Sequence, residues 1–362
     1  MKSNKSKATI FGPIPPPVGG IGSIVTTLNK AFFNRSEVNF VFPLSRNINS
    51  KKSIFRSIIN IIKLIKAIQM TQRGGKILIF SSEGNSFYEK LIWSLFIILF
   101  GRQVAVLMVS GVFPLFWSGL SIRSCKIISI IVNNRNFTLI AQSDSWMKFY
   151  KSIFPNACIE VAGATVSDEF LESLKVIRKK NNFHSIIYVG WISLDKGLID
   201  LFDAVKILSD EFLEFELRLI GPFMGNKQSW ENEVNIRGIS GKVKFIGSLS
   251  DEKLLIEEFN NASIFVFPSH FEGLPLALLE AISFGLACVG TNVGGIPDLL
   301  DNGNSGILIP PKNPLEIAGA LRTLFMNSDF NKILSERARE HFKLNYSKDN
   351  FIISYEKILR LT

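Results

Sequence analysis

Short apolar runs alternate along the whole chain with longer stretches in which apolar residues recur every three or four positions, the pattern of βαβ units and mainly parallel sheets. In the first half the runs predict strands over 8–11, 38–42, 76–80, 104–109, 137–141 and 158–161, with helices in the gaps. A second series predicts strands over 185–189, 215–220, 243–246, 263–267, 287–290 and 306–309. Between the first two of these, Leu198, Leu201, Phe202, Val205 and Leu208 share one helical face. Two Rossmann-like α/β domains in tandem follow, over 1–170 and 171–345. The apolar pattern lapses near their boundary, where Arg178 to Asn182 form a polar run. A last helix, within 346–362, could pack on either domain, the first included.

Three stretches complicate this pattern. Residues 103–122 carry no charge for about the length of a bilayer span, but Pro114, Gly111, Gly119 and several serines break the stretch. It reads as a buried strand followed by a loop. Residues 91–100 are too short to span and read as a buried helix. In the third stretch, Ile54, Ile58, Ile61, Ile65 and Ile68 share a helical face with Lys52, Arg56 and Lys63 nearly opposite. A basic amphipathic helix of this kind rests either on its own domain or on anionic lipid.

Composition sharpens the picture through charge. Residues 1–170 hold 20 Lys and Arg against 7 Asp and Glu, and residues 171–362 hold 21 against 24, so the net charge of +10 belongs to the first half. Such a surface suits an anionic membrane, an acidic substrate or nucleic acid. Nucleic acid is disfavoured, because no binding motif and no interleaving of aromatic with basic residues accompanies the charge. The N-terminal apolar stretch is cut short by Gly12 and the prolines that follow, so no signal peptide is expected. Cys125, Cys158 and Cys288 are odd in number and far apart, which argues against a disulfide framework and for a cytoplasmic setting.

The chemistry gathers after the predicted strand at 263–267. Glu272 and Glu280 stand eight positions apart, a spacing that chance alone supplies among 20 glutamates, so their context has to carry the inference. The strand leads into Glu272-Gly273-Leu274-Pro275, and Pro275 suits the first position of a helix. Free N–H groups then lie at the carboxyl end of a strand, where open α/β sheets bind ligands. Glu272 would sit at the mouth and Glu280 about two turns into the helix. The same features also fit a capping glutamate and a surface one.

Two further loops join this one. Gly19-Gly20 after the first strand form a turn whose N–H groups could wrap an anion, though a plain turn fits equally. After Val189-Gly190-Trp191, the Lys of Asp195-Lys196-Gly197 opposes the dipole of the helix it precedes, which a phosphate partner explains; a solvated lysine is the alternative. No D-x-D pair occurs, and His184, His270 and His341 are scattered, so no metal site is expected. His270, two residues before Glu272, is a candidate neighbour of the site. No bound cofactor is implied.

Taken together, Phe267-Pro268-Ser269, Glu272-Gly273-Leu274-Pro275, Leu279-Glu280-Ala281, Val189-Gly190, Lys196-Gly197, Gly294-Gly295-Ile296-Pro297-Asp298 and Gly19-Gly20 resemble family 4 of the retaining glycosyltransferases, in order and spacing over nearly the full length. The resemblance implies a GT-B fold, with two Rossmann-like domains facing each other across a cleft and the nucleotide-sugar donor held mainly by the second. It further implies that Glu272 contacts the transferred sugar and Glu280 the nucleotide ribose. Lys196 would bind the diphosphate, and the loop at Gly273, Leu274 and Pro275, with Gly19 and Gly20, would fix sugar and phosphate. Family members commonly carry Arg where this chain has Trp191, and His-Gly where it has Ser110-Gly111.

The implied activity is metal-independent, retaining transfer of a sugar to a lipid-linked or growing glycan acceptor in surface polysaccharide biosynthesis, at the inner face of the cell membrane. An epimerase or phosphorylase of the same fold, or a catalytically silent membrane-bound partner subunit, are the alternatives.

Overall fold

The structure is a computed structural model that describes residues 5–13, 20–44, 53–175, 184–211 and 214–361. The chain divides into two compact units, one of residues 1–165 with 348–362 and one of 166–347. Each is built on a six-stranded parallel sheet.

The first unit runs β1 (Ser6–Phe11), α1 (Gly20–Phe32), β2 (Val38–Val41), α2 (Ser53–Met70), β3 (Thr71–Ser81), α3 (Asn85–Leu99), β4 (Gln103–Met108), α4 (Phe113–Ser118), α5 (Ile122–Val132), β5 (Phe137–Ala141), α6 (Asp144–Ile153) and β6 (Cys158–Val161). Its sheet has the order β2-β1-β3-β4-β5-β6. The second unit runs α7 (Asp168–Ser173), β7 (Ser185–Val189), α8 (Leu198–Ser209), β8 (Glu216–Ile220), α9 (Lys227–Ile236), β9 (Val243–Gly247), α10 (Glu252–Asn261), β10 (Ile264–Phe267), α11 (Leu276–Phe284), β11 (Ala287–Thr291), α12 (Ile296–Leu299), β12 (Ile307–Ile309), α13 (Pro314–Met326) and α14 (Ser328–Asn345). Its sheet has the order β12-β11-β10-β7-β8-β9. The last helix, α15 (Lys348–Leu359), rejoins the first unit, where Glu356 pairs with Arg35 at 2.5 Å.

Strands covered on both faces need apolar side chains on both, which is why they read as unbroken runs. β5 and β10 are buried at every position. β3 begins at Thr71, five residues before the apolar run predicts, because Thr71 pairs with Ser6 across an irregularity in β1 and its hydroxyl lies 2.6 Å from that of Thr9. A polar start of this kind leaves no apolar signal.

Three expectations need correction. The loop predicted after β4 is the short helix α4, in which Pro114 stands in the first turn. Its Phe113 is buried with its ring edge against Phe87 and Tyr150, and Trp117 packs on Phe154, so most of this aromatic cluster is core. α3 is not a buried helix: Leu91, Trp93 and Ile97 face inward, but Ile92, Leu95, Phe96 and Leu99 are exposed. In α2 the stripe Ile58, Ile61, Ile65 is likewise exposed, and Leu64, Ala67 and Ile68 make the contact with the sheet. No helix among the described residues is long and apolar enough to cross a membrane.

Candidate active site

In the second sheet β10 and β7 are neighbours, with β8 and β9 on one side and β11 and β12 on the other. The order of the chain reverses between β10 and β7, the position at which open parallel sheets form a crevice at their carboxyl edge. The loop after β7 carries Lys196 and the loop after β10 carries Glu272. Beneath them the rings of Tyr188 and Phe267 stack at 5.8 Å, joining the ends of the two strands.

Lys196 and Glu272 meet: Nζ donates to Oε1 at 2.5 Å, with both side chains largely withdrawn from solvent. Lys196 closes a turn of 3-10 helix, Leu194–Lys196, and Gly197 after it takes φ +71°. A Cβ at 197 would lie 2.0 Å from the carbonyl oxygen of Pro268, so glycine is required twice over, for its backbone angle and for the contact with the second loop. The two loops are further bound by the His270 N–H, which donates to the carbonyl of Asp195 at 2.9 Å. The His270 ring reaches Asp200 in the first turn of α8, Nε2 to Oδ2 at 2.6 Å.

The Glu272 backbone is held from a third direction. Gly294, at φ +55°, packs so closely on it that a Cβ would stand 1.8 Å from the Glu272 carbonyl oxygen. Next to it the Gly295 N–H donates to the carbonyl of Gly273 at 2.8 Å. Thr291 Oγ1 donates to the Ser269 carbonyl at 2.5 Å, so the end of β11 fixes the same loop.

Pro275 is the residue that caps α11 and not its first residue, since its ψ of 116° is extended. No side chain caps that helix, which leaves its first-turn N–H groups to a ligand or to water. Leu274 beside it is buried. Glu280 is the fifth residue of α11, a little over one turn in rather than two. Burial, with a smaller contribution from the charge of Glu252, pushes its carboxyl up to about 8. Among the described residues the Glu280 carboxyl has no hydrogen-bond partner, whereas Glu272 has Lys196.

The structure thus brings together Lys196, Glu272, His270, Gly273 and the start of α11. Trp191, in the loop after β7, is 49% exposed, and its carbonyl accepts the Tyr188 hydroxyl at 2.8 Å. Tyr188 is fully buried, and burial together with the charges of Glu272 and Asp195 holds its phenol well above the ordinary range. Gly20 is the first residue of α1 in the first unit and so belongs to the helix itself, and Gly19 lies outside the described residues. Ser110 lies two residues beyond the end of β4 of that unit, with a buried hydroxyl that has no partner among the described residues. Asp200 and Tyr188 escape the sequence reading, because nothing local marks a first-turn aspartate or a strand tyrosine as part of a site. Gly294-Gly295 stands in the quoted motifs, but its contact with Glu272 shows only in three dimensions.

A basic group, a carboxylate and an uncapped helix start at the switch point of a parallel sheet suit a ligand with phosphates and hydroxyls. Comparison with known proteins agrees. Residues 170–341 match the family model of glycosyl transferases group 1. An uncharacterised glycosyltransferase of Haemophilus influenzae is 25% identical over 324 residues, covering 86% of this chain and 83% of its own. The capsular polysaccharide biosynthesis glycosyltransferase CapM of Staphylococcus aureus is 27% identical over 167 residues, 46% of this chain and 43% of its own. In fold, Anabaena HepE in complex with UDP superposes with a TM-score of 0.73 at 15% identity, covering 98% of this chain and 100% of the other. The fold is that of GT-B proteins, and the match over residues 170–341 supports a glycosyltransferase of the family 4 type.

Proposed function

We propose that the chain transfers a sugar, with retention of anomeric configuration, from a nucleotide-diphosphate sugar to a lipid-linked or growing glycan acceptor in surface polysaccharide biosynthesis. The observation that carries this reading is the Lys196–Glu272 ion pair at the uncapped start of α11. Breaking the bond between sugar and phosphate develops positive charge on the ring and negative charge on the departing diphosphate. The Lys196 ammonium and the α11 N–H groups meet the second charge, and the Glu272 carboxylate orients the sugar and meets the first. Glu272 releases Lys196 to the diphosphate when the donor enters. Glu280, a carboxyl without a hydrogen-bond partner among the described residues, takes the ribose hydroxyls.

Front-face attack, with the departing phosphate taking the acceptor's proton, gives retention without a covalent enzyme intermediate. Lacking a D-x-D pair, the chain relies on Lys196 and oriented N–H groups for the phosphates. The kinship to CapM supports a role in polysaccharide assembly, and HepE's complex with UDP supports a nucleotide-linked donor. The basic first unit supports peripheral attachment at the cytoplasmic face of the membrane.

The test is transfer from a nucleotide-sugar panel to membrane-extracted glycolipid acceptors, with the anomeric configuration of the product read by NMR. Transfer with retention that vanishes in Glu272→Ala is the expected result. Donor binding without turnover on any acceptor would instead make the chain a silent subunit, and an inverted product would remove the front-face mechanism.

A further inference from the structure

In the first unit α2, α3, α5 and α6 share one hydrophobic cluster. Leu64 and Ile68 come from α2, Leu91 and Ile97 from α3, and Ile128 and Val132 from α5. The strand residues of that cluster alternate, as in Ile77 and Ile79 or Val104 and Val106, so these helices form a single layer on one side of the sheet. One apolar stripe per helix is enough to cover a sheet. α2 and α3 each carry a second stripe that faces away from it.

On α2 the outward stripe is Phe55, Ile58, Ile61, Ile62 and Ile65, all exposed. On α3 it is Ile92, Leu95, Phe96 and Leu99, the last 78% exposed. α5, which touches α3, adds Ile127 and Ile130 on an outward face shared with Arg123 and Lys126. Adjoining outward stripes on three helices are far more than the isolated apolar residues that a free surface carries.

The charge of the same layer says what covers it. The helices α2, α3, α5 and α6 together hold eight Lys and Arg against two carboxylates, Glu89 and Asp144. Glu89 is already paired with Lys90. Among the described residues Lys66, Arg73, Arg123 and Lys126 meet no carboxylate. A second copy of the chain would set these cations against one another, since neither α2 nor α5 has an acidic residue to receive them. An anionic bilayer supplies both an apolar layer and the opposite charge.

We infer that the outward face of α2, α3 and α5 docks on an anionic lipid bilayer, with the apolar stripes entering the interfacial layer and Lys66, Arg123 and Lys126 against the headgroups. This gives a place to the membrane attachment proposed above and rests on that reading.

The test is cosedimentation of the full chain with vesicles of phosphatidylcholine alone or with added phosphatidylglycerol. It compares wild type with Leu95→Glu/Leu99→Glu, with Arg123→Glu/Lys126→Glu, and with Ile236→Glu, an equally exposed apolar residue of the second unit. All substitutions are at exposed positions, and thermal melts confirm that each variant folds. The expected result is binding to anionic vesicles at least about tenfold tighter than to neutral ones, a loss of at least about tenfold in both double variants, and none in Ile236→Glu. Wild-type binding that both double variants retain would overturn this surface while leaving attachment intact. No binding to either vesicle would overturn both. A dimer in light scattering that Leu95→Glu/Leu99→Glu dissociates would assign the face to a second copy and overturn the inference.

Discussion

The ammonium of Lys196 sits 2.5 Å from the carboxylate of Glu272, on loops that leave neighbouring strands 76 residues apart in sequence. Neither side chain is free to leave without exposing the other as a half-buried unpaired charge, so a ligand that parts them must offer each a substitute. A diphosphate for the lysine and sugar hydroxyls for the glutamate meet that condition together.

Lys196→Ala should therefore weaken binding of a nucleoside diphosphate by about ten- to a hundredfold, the range of one charge-assisted contact, and leave nucleoside binding nearly unchanged. Isothermal titration with both ligands checks this. Equal loss for both would remove the phosphate role.

Gly294→Ala should disrupt the loop through its backbone, because the added Cβ meets the Glu272 carbonyl at 1.8 Å and φ is +55°. Destabilisation of at least about 2 kcal/mol and loss of transfer are expected. Gly319→Ala, in α13 with no atom within 4 Å, should instead stabilise by about 0.5–1 kcal/mol. Thermal or denaturant melts of the two variants make the comparison.

Much of this was legible in the chain before folding. Each strand among the described residues contains a short, mostly apolar run because parallel strands are covered on both faces, and Glu272 and Lys196 stand out as charged residues in loops soon after such runs. What stayed hidden depends on contacts distant in sequence. Asp200 reads as an ordinary first-turn aspartate until His270 arrives from 70 residues away. The outward stripes of α2 and α3 look like core in a periodicity plot, since spacing shows that a face is apolar and not which way it points.

Glu280 should make stability depend on pH in a definite direction. Its carboxyl lies at about 8 in the folded chain against an ordinary value of 4.5, so between these limits the unfolded chain has released a proton that the folded chain keeps. Its contribution to stability is therefore unchanged below about pH 4.5, falls as pH rises to about 8, and levels off above. Glu280→Gln should match wild type near pH 4 and exceed it near pH 8 in chemical denaturation. If ribose hydroxyls bind the ionised carboxylate, donor binding at pH 7 should also release a proton, which titration in buffers of different ionisation enthalpy measures.

The His270–Asp200 contact should matter to turnover through loop position. Asp200→Ala is expected to lower kcat about tenfold or more, and Asp200→Asn, which can still accept from the imidazole, to keep most of it. Equal kinetics for the two variants would show that the brace is dispensable.

The central claim is that the second unit holds a nucleotide-sugar donor on Lys196, Glu272 and Glu280. The most direct measurement is thermal stabilisation by UDP, GDP, ADP and their sugar conjugates, for wild type, Lys196→Ala and Glu280→Ala. One selective nucleotide is expected, adding about 2.7 kcal/mol at 100 times its dissociation constant and losing that effect in both variants. A shift with none of the ligands, or one that both variants keep in full, would contradict it.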